Sequence, residues 1–223
     1  MLQEELEKDF RATAQDKVGP EFLFDRADVA RWLIEAEQEA CIRGRLLHDS
    51  STPAVCEIPV VAGVSSYPLH AALYEIDHLG LKLSGATDRR RVQLVSKEWL
   101  DEHLNGWRDR SGTPEYAIQG DTSLRLVPRP DAAATLLLEG YRLPIRGLTA
   151  DAKSKPEIFQ AHHRHLVNWA LYRAFSQPDS ETMDLGRAGD AEAAFTAYFG
   201  PRPDSDLRRL TQEDGQHHNQ AWI

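Results

Sequence analysis

Leu2, Leu6, Phe10 and Ala14 recur at steps of four, the spacing of a single stripe on an α-helix. They predict a first helix over about residues 2–14, ended by Gly19-Pro20. A second, longer amphipathic helix follows. Asp25 is its predicted N-cap, and Val29, Trp32, Leu33, Ala36, Ala40, Cys41 and Leu47 form the apolar face. Glu35, Glu39, Arg43 and Arg45 form the opposite, polar face, and the helix is expected to run to about His48. Asp49-Ser50-Ser51-Thr52-Pro53 then reads as a loop.

Beyond it the period shortens to two. Cys56, Ile58 and Val60 alternate with Glu57 and Pro59, which predicts a half-buried strand at a sheet edge. Further strands are predicted over residues 73–83, with Gly80 as a bulge or bend, and over 91–95, 115–118, 124–127 and 135–141. Ser96 is positioned to cap a short helix over 97–104. Turn signals about every ten residues indicate an antiparallel sheet or sandwich. The helical period returns at Pro156, predicted to be a first helical residue. A last helix is expected over about 180–199, with Leu185, Ala188, Ala191, Phe195, Tyr198 and Phe199 inward, stopped by Gly200-Pro201. Residues 201–223 are polar and aperiodic and end in Ala221-Trp222-Ile223, an apolar tip on an extended tail.

The predicted fold is therefore α+β. Residues 1–50 and 156–200 form a discontinuous helical bundle, residues 51–155 a β-rich insertion, and residues 201–223 an extended C-terminal tail.

Composition narrows the function. The 223 residues are 41% hydrophobic, enough for a buried core, and carry a net charge of -9. That sign disfavours tight, salt-sensitive binding to phosphate, but suits a wall past which DNA slides. The two cysteines, Cys41 and Cys56, lie in apolar patterns and read as buried thiols. Residues 1–10 are acidic and polar, unlike a signal peptide, and the largely apolar stretch 132–138 is far too short to span a membrane.

Candidate chemistry is sparse. No phosphate-binding glycine loop, nucleophile elbow or His-Glu-x-x-His motif occurs. His162 and His165 share a helix face and are the one pair spaced to ligate a metal, the basis of an alternative reading as a metal-dependent hydrolase. On that helix His162 is expected beside Leu166, with His163 and Arg164 facing solvent or a neighbouring subunit. The carboxylates Glu35, Glu37 and Glu39 read as a solvated face. The basic run Arg89-Arg90-Arg91 and the tip Trp222-Ile223 are the predicted partner contacts. Trp32 and Trp169 are expected in the core, and Trp99 and Trp107 either plug the sheet or anchor a partner. No catalytic residue, cofactor or metal is expected.

The stretch Phe24-Asp25-Arg26-Ala27-Asp28-Val29-Ala30-Arg31-Trp32-Leu33-Ile34-Glu35-Ala36 and its continuation through Glu39-Ala40-Cys41-Ile42-Arg43-Gly44-Arg45-Leu46-Leu47 resemble the opening helix of phage adaptors. A β-rich middle with Gly112-Thr113-Pro114-Glu115-Tyr116 and Leu126-Val127-Pro128-Arg129-Pro130-Asp131 follows. Then come Pro156-Glu157-Ile158, His165-Leu166-Val167 and Phe195-Thr196-Ala197-Tyr198-Phe199-Gly200. In this order, over residues 24–203, they resemble the head-to-tail adaptor (connector, head-completion) proteins of tailed bacteriophages. The resemblance implies a structural virion protein at the head-tail junction, made in the host cytoplasm. It implies a homo-oligomeric ring, commonly twelve-fold, under the portal protein, and partners among tail tube, nozzle or tail fibre proteins. Double-stranded DNA would pass through without specific binding, during packaging and ejection. Another tail-completion or scaffold subunit is the neighbouring reading.

Overall fold

The computed structural model describes residues 1–16, 21–178 and 182–203. The fold is α+β, as the two periodicities predict. The chain divides into two compact units. One joins Met1–Leu47 to Arg142–Arg202, and the other contains His48–Tyr141.

The first unit is helical. Helices α1 (Gln3–Ala14) and α2 (Arg26–Gly44) come from the N-terminal segment. Leu6, Phe10 and Ala14 are buried along one stripe of α1, as their spacing requires. Asp25 caps α2 by accepting the Ala27 N–H at 2.9 Å. Arg45 turns left-handed after Gly44, with φ of 49°, so α2 stops before the predicted His48. Leu46 and Leu47 still pack against the helical core. Phe10, Phe24, Trp32 and Phe175 meet in edge-on and tilted contacts 5.7 to 6.2 Å apart.

The second half of this unit departs from the sequence reading at Pro156. The segment there is not helical. A 3-10 segment spans Gln160–His165 and runs into α5, which is numbered here after the helices of the other unit. There the Glu157 N–H donates to the Glu37 carboxylate at 2.6 Å.

The β-rich unit contains the short helices α3 (Pro53–Cys56) and α4 (Lys97–His103). Its strands are β1 (His48–Asp49), β2 (Glu57–Val60), β3 (Ser66–Pro68), β4 (Leu73–Leu83), β5 (Arg90–Arg91) and β6 (Gln93–Leu94). They continue with β7 (Ser111–Gly112), β8 (Tyr116–Gln119), β9 (Ser123–Val127), β10 (Arg129–Pro130) and β11 (Ala134–Arg142). One sheet runs β1-β11-β4-β5, with β2 also on β11; a second runs β3-β9-β8-β6; β7 and β10 form a pair. Most pairings are antiparallel, as the turn spacing predicts, while β6/β8 and β7/β10 are parallel.

The single strand predicted over 91–95 is two strands. Arg91 pairs with Gly80 in the first sheet, and Gln93 with Tyr116 in the second. Buried Val92 makes the crossing, its N–H donating to the Leu79 carbonyl at 3.0 Å. Gly80 of β4 stands opposite Arg91 of β5. Cys56, predicted in a strand, closes α3 instead. Leu79, Leu81, Leu124, Leu126, Leu136 and Leu138 fill the core of the unit. Gly140 brings β11 so close to β4 that a Cβ there would collide with the Glu75 carbonyl.

Helix α5 is Leu166–Phe175, and α6 is Leu185–Phe199, capped by Asp184, which accepts the Arg187 N–H at 3.0 Å. Ala188, Ala191, Phe195 and Phe199 of α6 are buried, whereas Leu185 is 70% and Tyr198 42% exposed, against the prediction that both face inward. Leu185 precedes Ala188, the first position of α6 to reach the core, and Tyr198 is turned aside to stack on His165.

Candidate interaction surfaces

The residues with distinctive chemistry fall into four places. The first is a buried polar clasp in the helical unit. Glu37, on the same face of α2 as Leu33 and Cys41, is 1% exposed. One carboxylate oxygen accepts the Leu148 N–H at 2.7 Å, the other the Glu157 N–H at 2.6 Å. Burial raises its pKa against the pull of these donors. Glu157 in turn accepts the N–H groups of Ile145 and Arg146 at 2.7 and 2.9 Å and pairs with Arg142 at 2.6 Å. Burial opposes its ionisation, but Arg142 and these donors outweigh that and lower its pKa. The adjacent Cys41 thiol is pushed upward by burial, so it is unreactive in this environment. Glu37 therefore belongs to the interior, not to the solvated face expected for it.

Glu39 departs in the same way. It is buried and pairs with Arg43 at 2.8 Å. Arg43 also donates to the Thr196 hydroxyl at 2.9 Å and lies about 5 Å from the Trp169 and Phe195 ring centres. The pair ties the C-terminal ends of α2 and α6 together. Trp32 is in the core as expected, and Trp169 is half-buried beside Phe195.

The second place is the histidine segment. Its 3-10 geometry has three residues per turn, so His162 and His165 still share a face. Both meet Tyr198: His162 Nδ1 lies 3.1 Å from its hydroxyl, and the His165 ring stacks on it at 3.5 Å. Among the described residues no three metal-ligating side chains converge. The arrangement provides aromatic packing, with Phe159 exposed alongside. His163, expected to face solvent, is buried. Its Nε2 meets the Ile158 carbonyl and its Nδ1 the Met1 amine, each at 2.9 Å. Burial lowers its pKa. A cleft of about 250 Å³ lies between α1 and α5, lined in part by Asp9, Thr13, Arg164, His165 and Asn168.

The third place is the edge strand β5. It consists of Arg90 and Arg91, with Arg89 just before it, and all three are exposed. The other predicted contact, Trp222 with Ile223, lies outside the described residues.

The fourth is the short helix of the β-rich unit. Ser96 caps α4 through the Trp99 N–H at 3.0 Å. Trp107 is buried with Val95, Leu100 and Val127, and its indole N–H donates to Asp101 at 2.8 Å. Arg108 completes the site, and its hydrogen bonds hold the exposed Asp101 carboxyl down at about 2. Trp107 is thus a plug, while Trp99 is half-buried and stacked on His103.

A family model described as SU10 adaptor protein matches residues 3–219. The chain belongs to this phage adaptor family. No match was found among curated proteins. Membership in the SU10 adaptor protein family gives the chain a structural role in a bacteriophage and directs attention to its outward surfaces. Among the described residues of this adaptor, no helix is long and apolar enough to cross a membrane.

Sequence reasoning missed Glu37, Glu39 and His163. A signal existed for the first: Glu37 falls four residues from both Leu33 and Cys41, inside the apolar stripe. His163 gave none, because a 3-10 turn shifts the phase on which an α-helical reading relies.

Proposed function

We propose that this protein forms a ring below the portal of a tailed phage, extends the DNA channel and offers the surface to which the tail attaches. The family match over residues 3–219 carries this reading. The helical unit of each copy packs beside its neighbours, commonly with twelve-fold symmetry, and the β-rich unit receives tail tube, nozzle or fibre proteins. The two compact units act as separate domains in this scheme, the bundle for assembly and the β-rich block for attachment. The site of action is the head-tail junction of the virion, and the role requires no catalysis, cofactor or metal. DNA passes without specific binding, in keeping with the net charge of -9. Residues 201–223, through Trp222 and Ile223, dock on the portal, and Arg89, Arg90 and Arg91 contact a protein partner.

Native mass spectrometry of the protein mixed with the portal protein from the same genome tests this. Several copies per portal ring are expected, and deletion of residues 201–223 should abolish the complex. A complex that survives the deletion moves docking away from the tail. No complex with the full chain contradicts the adaptor assignment.

A further inference from the structure

Asn105 and Gly106 form the one Asn-Gly pair in the chain. They lie in the turn that follows α4 and leads to the buried Trp107. In any such pair the backbone nitrogen of the second residue stands within reach of the asparagine side-chain carbonyl. Glycine hinders the approach least, because it has no Cβ. A fold suppresses the reaction by burying the pair, by holding the N–H in a hydrogen bond, or by tying down the side-chain amide.

None of these restraints is in place. Asn105 and Gly106 are both exposed. Gly106 has a φ of 69°, and nothing lies within 4 Å of where its Cβ would stand. Neither the Gly106 N–H nor the Asn105 side-chain amide has a hydrogen-bond partner among the described residues. The turn around them is nonetheless ordered. The Trp107 N–H donates to the Leu104 carbonyl and the Asp109 N–H to the Gly106 carbonyl, each at 3.2 Å.

Arg110 adds a chemical push. Its guanidinium donates to the Asn105 backbone carbonyl at 2.9 Å. That carbonyl and the Gly106 N–H belong to one peptide group. The attacking species is the deprotonated nitrogen, whose charge is shared with the carbonyl oxygen, and a cationic donor on that oxygen stabilises it. Arg110 itself has no carboxylate partner among the described residues, whereas the neighbouring Arg108 is engaged by Asp101 at 2.6 Å.

We infer that Asn105 is a site of self-modification, promoted by Arg110. The Gly106 nitrogen gives up its proton and bonds to Cγ of Asn105. The Cγ–Nδ2 bond then breaks, and the nitrogen leaves as ammonia, carrying off one proton in place of the one lost. The resulting succinimide is opened by water at either of its carbonyls, which yields aspartate or isoaspartate. Water enters, ammonia leaves, and no oxidant, reductant or cofactor takes part. Both products place a carboxylate in the turn beside Arg110. Isoaspartate also lengthens the backbone on the path from α4 to Trp107, which packs with Val95, Leu100 and Val127.

The test holds the full-length protein at mildly alkaline pH and digests samples with trypsin at intervals. Mass spectrometry then follows the fragment Glu98–Arg108, beside a synthetic peptide of that sequence and the full-length variants Arg110→Ala and Asn105→Gln. The fragment from the folded protein is expected to gain the acid and isoaspartate forms at a rate within about tenfold of the free peptide, as for a segment that its fold does not protect. Arg110→Ala, an exposed position, should slow the conversion by about threefold. Asn105→Gln should remain unconverted, because its longer side chain closes the ring poorly. A fragment that stays an amide in the folded protein while the free peptide converts overturns the site. An Arg110→Ala protein that converts as fast as the unaltered one overturns the part given to Arg110.

Discussion

Glu37 on α2 accepts the backbone N–H of Glu157 at 2.6 Å, joining residues 120 positions apart in the chain. Its second oxygen holds Leu148, so one buried carboxylate pins the whole return segment from the β-rich block against the first half of the bundle. Removing it leaves two buried backbone donors without a partner. Glu37→Ala should cost roughly 2–4 kcal/mol of stability in denaturant unfolding. Glu37→Gln should cost less, since one acceptor remains while the amide faces a donor. An alanine variant as stable as the unaltered protein would remove the clasp from the account.

The Glu39–Arg43 pair supplies a second test. Arg43→Ala leaves the buried Glu39 carboxylate with only the longer contact to Arg202 at 3.6 Å and should destabilise the bundle by about 2–3 kcal/mol. Replacing both members with methionine should recover most of that loss, because the site is walled by Trp169 and Phe195. Thermal denaturation of the single and double variants reads the difference.

His163 makes the bundle sensitive to acid. Burial depresses its pKa below the ordinary 6.5. The unfolded chain therefore binds more protons in the window between the two values, and stability rises with pH there. The contribution is present above about pH 6.5 and is lost as the pH falls through the lower, folded value. Urea unfolding at about pH 7.5 and about pH 5 should show a decline that His163→Gln flattens. An equal slope in the variant would assign the acid sensitivity elsewhere.

Two glycines should respond in opposite directions. A Cβ at Gly140 strikes the Glu75 backbone, which cannot swing away, so Gly140→Ala should destabilise the β-rich unit by about 1–3 kcal/mol. At Gly189, inside α6, an added methyl meets nothing within 4 Å, so Gly189→Ala should stabilise by about 0.5–1 kcal/mol. Differential scanning calorimetry distinguishes the two signs.

The elements visible in the sequence were those whose burial is decided locally. Leu6, Phe10 and Ala14 fixed α1, Asp25 its successor's start, and the apolar run from Leu73 to Leu83 gave β4 its full extent. What escaped was decided by distant partners. Nothing near Glu37 in the chain announces Leu148 or Glu157, 111 and 120 residues away. Val92 sits in a run that reads as one strand, and only the tertiary arrangement sends its neighbours to different sheets. The exposure of Arg89 to Arg91 followed from their charge, whereas the apolar rims at Leu185 and Tyr198 broke the periodic reading of α6.

The central claim is that this chain forms a ring between portal and tail. Electron cryomicroscopy of the intact phage, with the structure fitted to the head-tail junction, tests it most directly. The account predicts a closed ring of copies directly below the portal, with their helical units side by side around it. A junction that lacks this protein, or holds it as isolated copies touching only other chains, would contradict it.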